Sequence, residues 1–192
     1  MIKLDFTDHA PAVQNRPTRS RTSAIVLHRT AEDDNLDGVT TFSEVVRFYT
    51  KDPEGVATVV LPGAYVSKLP QIRDWRARGV PAATKERAFV PYHFLIEASG
   101  EVARMLPLAV RGAHAGAWND RSVGIAILGN FELHEPTAAQ VDAVLELIKD
   151  IRTVYPRAAV LGHDDTLTLD GMPPKGCPGR FFPLAHVKEL VG

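Results

Sequence analysis

Cysteine is almost absent: the chain of 192 residues has one, Cys177. A single thiol forms no intramolecular disulfide, so the fold must stand on its core and Cys177 must be accounted for by its chemistry. An excess of charge is missing too. Twenty-two Lys and Arg face 23 Asp and Glu for a formal net charge of −1. The basic residues are spread along the chain, which excludes the electrostatic footprint of a nucleic-acid or anionic-membrane binder. No run approaches the roughly 18 apolar residues of a membrane span, and the opening "MIKLDFTDHAPAVQNRPTRS" has no signal-peptide core. The expectation is a chain made in the cytoplasm without a secretory leader and not inserted in a membrane. Internal repeats and low-complexity tracts are also lacking.

What is present suits one domain over residues 1–192, since 45% of residues are hydrophobic and the length can bury a core. Residues 1–22 read as polar and irregular. "SAIVLH" is a buried strand ending at His28. "TFSEVVRFYTKD" spaces Phe42, Val45, Val46 and Tyr49 for a short amphipathic helix, inside an elaborated connection over 31–91. "YHFLIEASGEVARML" reads as a hairpin about Ser99 and Gly100, and "SVGIAILGNF" as a central strand. The clearest helix is "PTAAQVDAVLELIKDIRTVYP". Thr137 and Gln140 have capping-box spacing, Val141, Val144, Leu145, Ile148 and Ile151 share a face, and the helix stops before Pro156. "AAVLGH" is a second strand ending in histidine, His163, and a short helix begins near Leu184. Strands interleaved with helices imply an α/β fold with a central mixed sheet flanked by helices.

Two strands therefore end in histidine, and "DGMPPKGCPGR" follows the second closely enough to fold Cys177 back onto it. Two imidazoles and a thiolate suit zinc, and three protein ligands leave the open position a catalytic zinc needs. Lys175 and Cys177 stand two apart in a proline-rich segment expected to be extended, which turns both side chains to one side. The lysine can then favour the thiolate or hold a developing oxyanion. In "PYHFLI" strand alternation puts Tyr92 and His93 on opposite faces, so one of the two is structural; Tyr92 is either a rim aromatic or a phenol reaching into a cleft. His114, among small residues, can be a further ligand, a partner behind a ligand or a substrate contact. Substrate contact is preferred, since three donors are already in hand. His9, His134 and His186 read as surface residues.

"IVLHRTA", "YHFLIEASGEV", "GAHAGAWNDRSVGIAILGNFE" and "GHDD…PPKGCPG" occur in that order. The chain resembles the zinc-dependent N-acetylmuramoyl-L-alanine amidases of type 2, the family of phage lysozyme-like amidases and peptidoglycan recognition proteins. The resemblance covers most of residues 24–182. It implies zinc bound by His28, His163 and Cys177, active-site roles for Tyr92 and Lys175, and a substrate groove that includes His114 and Asn119. Arg29 departs from the family, many members having a second histidine there; alternation turns it away from His28, so no loss of metal is expected. Members that only bind peptidoglycan tend to lack the cysteine ligand, which points here to an enzyme.

The implied reaction is hydrolysis of the amide between N-acetylmuramic acid and L-alanine, with zinc activating water, Lys175 stabilising the oxyanion and Tyr92 orienting water or moving a proton. Two alternatives stay open. One is a hydrolase with Cys177 as nucleophile and His163 as base, the other a module that binds peptidoglycan without cutting it. The expected protein is a monomer acting on the cell wall after delivery outside the general export route. A lysis or secretion system, or an immunity partner, fits that setting.

Overall fold

The computed structural model describes residues 2–5, 17–19, 21–30 and 91–192. The helix expected at "TFSEVVRFYTKD", the connection up to residue 90 and His9 lie outside them.

Among the described residues six strands form one sheet: β1 (Ile2–Asp5), β2 (Ala24–Arg29), β3 (Phe94–Ile96), β4 (Val102–Arg104), β5 (Ser122–Ile127) and β6 (Ala159–Gly162), in the spatial order β1-β4-β3-β5-β2-β6. The β3–β4 pair is antiparallel and closes about Gly100, whose φ of 78° suits a residue without Cβ. All other pairings are parallel. The sheet is therefore mixed, as the patterning implies, with one difference. Within the segment read as irregular, Ile2–Asp5 is an edge strand beside β4. Its four residues are too few for alternation to stand out in a polar stretch.

The described residues also form three α-helices: α1 (Ala138–Val154), α2 (His163–Leu169) and α3 (Leu184–Val191). α1 begins as its capping box predicts. The Thr137 hydroxyl accepts from the Gln140 amide at 3.1 Å, and the Gln140 side chain accepts from the Thr137 amide at 3.0 Å. Gln140 is itself buried and donates to the Leu128 carbonyl at 2.9 Å, which ties the helix start to the end of β5. Val144, Leu147, Ile148 and Ile151 of α1 pack with Ile25, Leu27, Ile125 and Ile127 of the sheet, and Val187 of α3 joins them. This is the main core, and it occupies one face of the sheet.

The other face carries smaller side chains, with Ala24 and Val26 against Ala115. His28 shares the alternation of Ala24 and Val26, so β2 sends its histidine to this second face. The main core supports the sheet from behind, while the second face carries His28. Among the described residues no helix is long and apolar enough to cross a membrane.

Candidate metal centre

The register of β2 and β6 brings the first two candidate ligands together. Leu27 pairs with Gly162 in parallel, so the next residue of each chain, His28 and His163, emerge side by side. Their ring centroids are 4.7 Å apart. His163 is not the last residue of its strand, as the pattern suggested, but the first of α2. The chain turns into the helix there because Asp165 reaches back to accept the Gly162 amide at 2.7 Å.

The loop after α2 supplies Cys177. Its Sγ is 3.8 Å from His28 Nδ1, and donor atoms of His28, His163 and Cys177 all lie within 4.8 Å of one another. Bonds of about 2.0–2.3 Å at tetrahedral angles put donors sharing a zinc about 3.3–3.7 Å apart. The sulfur–nitrogen pair is close to that span, and the other separations, none above 4.8 Å, have at most about 1.5 Å to close. The residues therefore fit the metal in identity, number and spacing.

The electrostatics favour ligation over free acid–base chemistry. Burial holds His28 well below the usual imidazole range, with His114 and His163 pushing the same way. His163 is also lowered, first by burial; Asp164 opposes the shift and Lys175 adds to it. Neutral imidazoles at neutral pH offer the lone pairs a metal needs. Burial raises the Cys177 thiol to about 11, an effect that the Arg29 backbone amide and charge oppose and Asp164 reinforces. Without a metal this thiol is protonated at neutral pH and weakly nucleophilic.

His114 sits directly behind His28. Its Nδ1 is 3.0 Å from His28 Nε2, and its ring is buried over Gly124 and Gly112, where an added Cβ would come within 2.6 Å of ring carbon. Burial, then the charges of Arg19 and His163, lower its pKa to about 3, partly offset by the Ser122 carbonyl. If His28 Nδ1 serves the metal, its Nε2–H donates to His114 Nδ1, which fixes the tautomer of the ligand. The sequence favours a substrate contact for His114 over a partner behind a ligand; in the structure its ring packs directly against His28. Asn119, expected in the groove, has its carboxamide oxygen committed to the loop, accepting from the amides of His114 and Ala115 at 2.8 Å each. It lies in a 3-10 turn, Gly116–Asp120, and is buried.

Tyr92 and His93 both reach this neighbourhood, against the expectation of opposite faces. Residues 91–93 form a bend and β3 starts only at Phe94, so strand alternation does not apply to them. The Tyr92 ring stands 5.1 Å from His28 and 6.1 Å from His114, centroid to centroid. His93 is the structural member of the pair: its Nδ1 accepts the Gly124 amide at 3.0 Å and its Nε2 donates to the Val110 carbonyl at 2.9 Å.

The cysteine loop is likewise not the extended strip that its prolines suggested. Gly176 has φ of 74°, because the amides of Lys175, Gly176 and Cys177 converge on the Asp164 carboxylate at 2.9, 2.9 and 3.0 Å. Successive amides around one anion form a concave nest, which needs a left-handed residue and breaks period-2 geometry. Lys175 remains exposed at the edge of the site, where its charge acts on His163. A cavity of about 370 Å³ borders the loop between Glu132, Asp164, Pro174 and Arg180; of the three donors it touches only Cys177. Asp164 went unassigned at the level of sequence, although a carboxylate directly after a candidate ligand was the available signal. His134 is half-buried at the edge of Phe131, and His186 is exposed.

A family model described as N-acetylmuramoyl-L-alanine amidase matches residues 18–180. The chain belongs to this amidase family. It is 34% identical over 94 residues to a peptidoglycan-recognition protein of Drosophila simulans, covering 47% of this chain and 48% of that protein. It is 29% identical over 115 residues to the endolysin of Enterobacteria phage K11, covering 56% of this chain and 67% of the endolysin. The chain thus spans about half the length of the recognition protein it matches. The solved structure of the endolysin amidase LysCS from Clostridium intestinale URNW superposes with a TM-score of 0.61 at 20% identity, covering 98% of this chain and 95% of that one. At that identity the likeness speaks for the amidase fold, which is the mixed sheet described above.

Proposed function

We propose that this chain is a zinc-dependent peptidoglycan amidase that hydrolyses the amide between N-acetylmuramic acid and the L-alanine of the stem peptide. The observation that carries the reading is the convergence of two neutral imidazoles and a thiol at the spacing of shared zinc ligands, in a chain of the amidase family. His28, His163 and Cys177 would hold the metal. When bound, zinc supplies Lewis acidity, which polarises an amide carbonyl and makes water nucleophilic near neutral pH.

The chain's own residues do the rest. His114 orients His28 from behind. Lys175 offers its ammonium to the oxygen that gains negative charge as the carbonyl is attacked, a contact typically worth about 3–4 kcal/mol of barrier. Tyr92, packed on His28, has a phenol able to orient water or to pass a proton toward the leaving amine. Its place of action on this reading is the cell wall.

A cysteine-nucleophile hydrolase is disfavoured by the thiol's upward shift to about 11. A purely binding module has in its favour only the names of relatives such as the recognition protein. One experiment separates the three. Purified protein is incubated with peptidoglycan, with and without a chelator, and released stem peptides are measured. The zinc amidase releases them, stops on chelation and recovers with added zinc. Release that survives chelation but is lost on thiol alkylation establishes the cysteine hydrolase, and binding without release establishes the module.

A further inference from the structure

Each histidine of the candidate centre is followed by a charged residue, Arg29 after His28 and Asp164 after His163, and both charged residues grip the same peptide unit. Arg29 Nε donates to the Gly176 carbonyl at 2.7 Å, while Asp164 Oδ2 accepts the Cys177 amide at 3.0 Å. These are the two ends of the Gly176–Cys177 peptide, the unit that leads into the third ligand. The hold is reinforced on both sides. The Arg29 guanidinium also donates to the Asn130 side chain. The Asp164 carboxylate also accepts the amides of Lys175 and Gly176, and the Asp164 amide donates to the Cys177 carbonyl at 2.9 Å.

Charge-assisted hydrogen bonds at both ends of one peptide leave it little freedom to tilt, and the Cα of Cys177 follows from its orientation. Three elements, β2, α2 and the cysteine loop, are thereby locked in register by residues that touch no ligand atom through their side chains. Arg29 is thus more than a side chain turned away from the metal; it fastens the third ligand to the strand bearing the first.

We infer that Arg29 and Asp164 are paired positioning residues that hold Cys177 at the distance from His28 and His163 at which the three share a metal. The inference rests on the reading of the site as a zinc centre. Two geometric consequences follow. Asp164→Asn should be intermediate, because its one carboxamide oxygen can still accept the Gly176 and Cys177 amides while its NH2 faces the Lys175 amide, which itself donates. Arg29→Lys should be intermediate, since a single ammonium cannot reproduce the planar fork that spans Gly176 and Asn130.

The test is zinc affinity, measured by competition with a chromophoric chelator. It is paired with hydrogen exchange of the Gly176 and Cys177 amides in the metal-free protein. Arg29→Ala and Asp164→Ala should each weaken zinc binding by about 10- to 100-fold, the usual range for partners behind ligands. The double variant should weaken it by less than the product of the two, because both act on one peptide unit. The two amides should be protected in the wild type and exchange faster in either variant. Wild-type affinity in either single variant, a fully multiplicative double, or unchanged exchange overturns the inference while leaving the zinc reading intact. A wild type that binds no zinc overturns both. If an alanine variant does not fold, Arg29→Lys and Asp164→Asn carry the same comparison.

Discussion

The ammonium of Lys175 stands at the exposed edge of the site, but its backbone amide belongs to the nest around Asp164. Substituting the side chain leaves that amide in place. Lys175→Ala is therefore expected to keep zinc and to lose about 10²- to 10³-fold in kcat, the usual range for removing one oxyanion donor. Metal analysis beside turnover of peptidoglycan checks this, and loss of zinc would assign the lysine a structural role. Cys177→Ser, in contrast, should lose metal and activity together. His114 makes a different prediction, because burial lowers its pKa to about 3 from about 6.5 in an unfolded chain. Between those values the unfolded state binds more protons, so stability falls as pH drops through that window. Urea unfolding of the metal-free protein at a series of pH values should show that slope, and His114→Asn should make it shallower, with the lowered His28 and His163 carrying the remainder.

Among the elements, β5 shows how a strand can be shaped by what lies on it. Its core-facing residues, Val123, Ile125 and Ile127, are branched and buried, whereas Gly124 and Ala126 on the other face are small. A Cβ at Gly124 would fall 2.6–2.7 Å from the His114 ring. Gly124→Ala is expected to cost about 1–3 kcal/mol by overpacking and to displace His114, which thermal unfolding and the His28 ring signals in NMR would report. Strands β2 to β6 and α1 were legible in the sequence because burial on one face repeats at period 2 or 3.6 and the cap has a local signature, whereas the four-residue edge strand β1 was not. The bend at residues 91–93 and the turn about Gly176 were not, since each is set by partners far along the chain. Gly124 holds His93, and Asp164 gathers the loop. The same cause explains the site. His28, His163 and Cys177 could be named from strand ends and an out-of-place thiol, but the stations of His114 and Asn119 depend on register and on a 3-10 turn that no short pattern announces.

At the scale of the whole molecule, the sheet divides the work. One face, packed under α1 and α3, gives the β strands a fixed register. That register sets His28 beside His163 on the other face, and the loop held by Arg29 and Asp164 closes the triangle with Cys177. Such a device suits a reaction needing one open metal position, one cation and one phenol around an amide carbonyl. The most direct test of this account is mass spectrometry of intact peptidoglycan digested by the zinc-loaded protein. The account predicts stem peptides with a free L-alanine amine, glycan strands carrying the free lactyl carboxylate, and no new reducing ends, all abolished by chelation. Cleavage within the glycan or within the stem peptide, or a wall left uncut by the zinc-loaded protein, would contradict it.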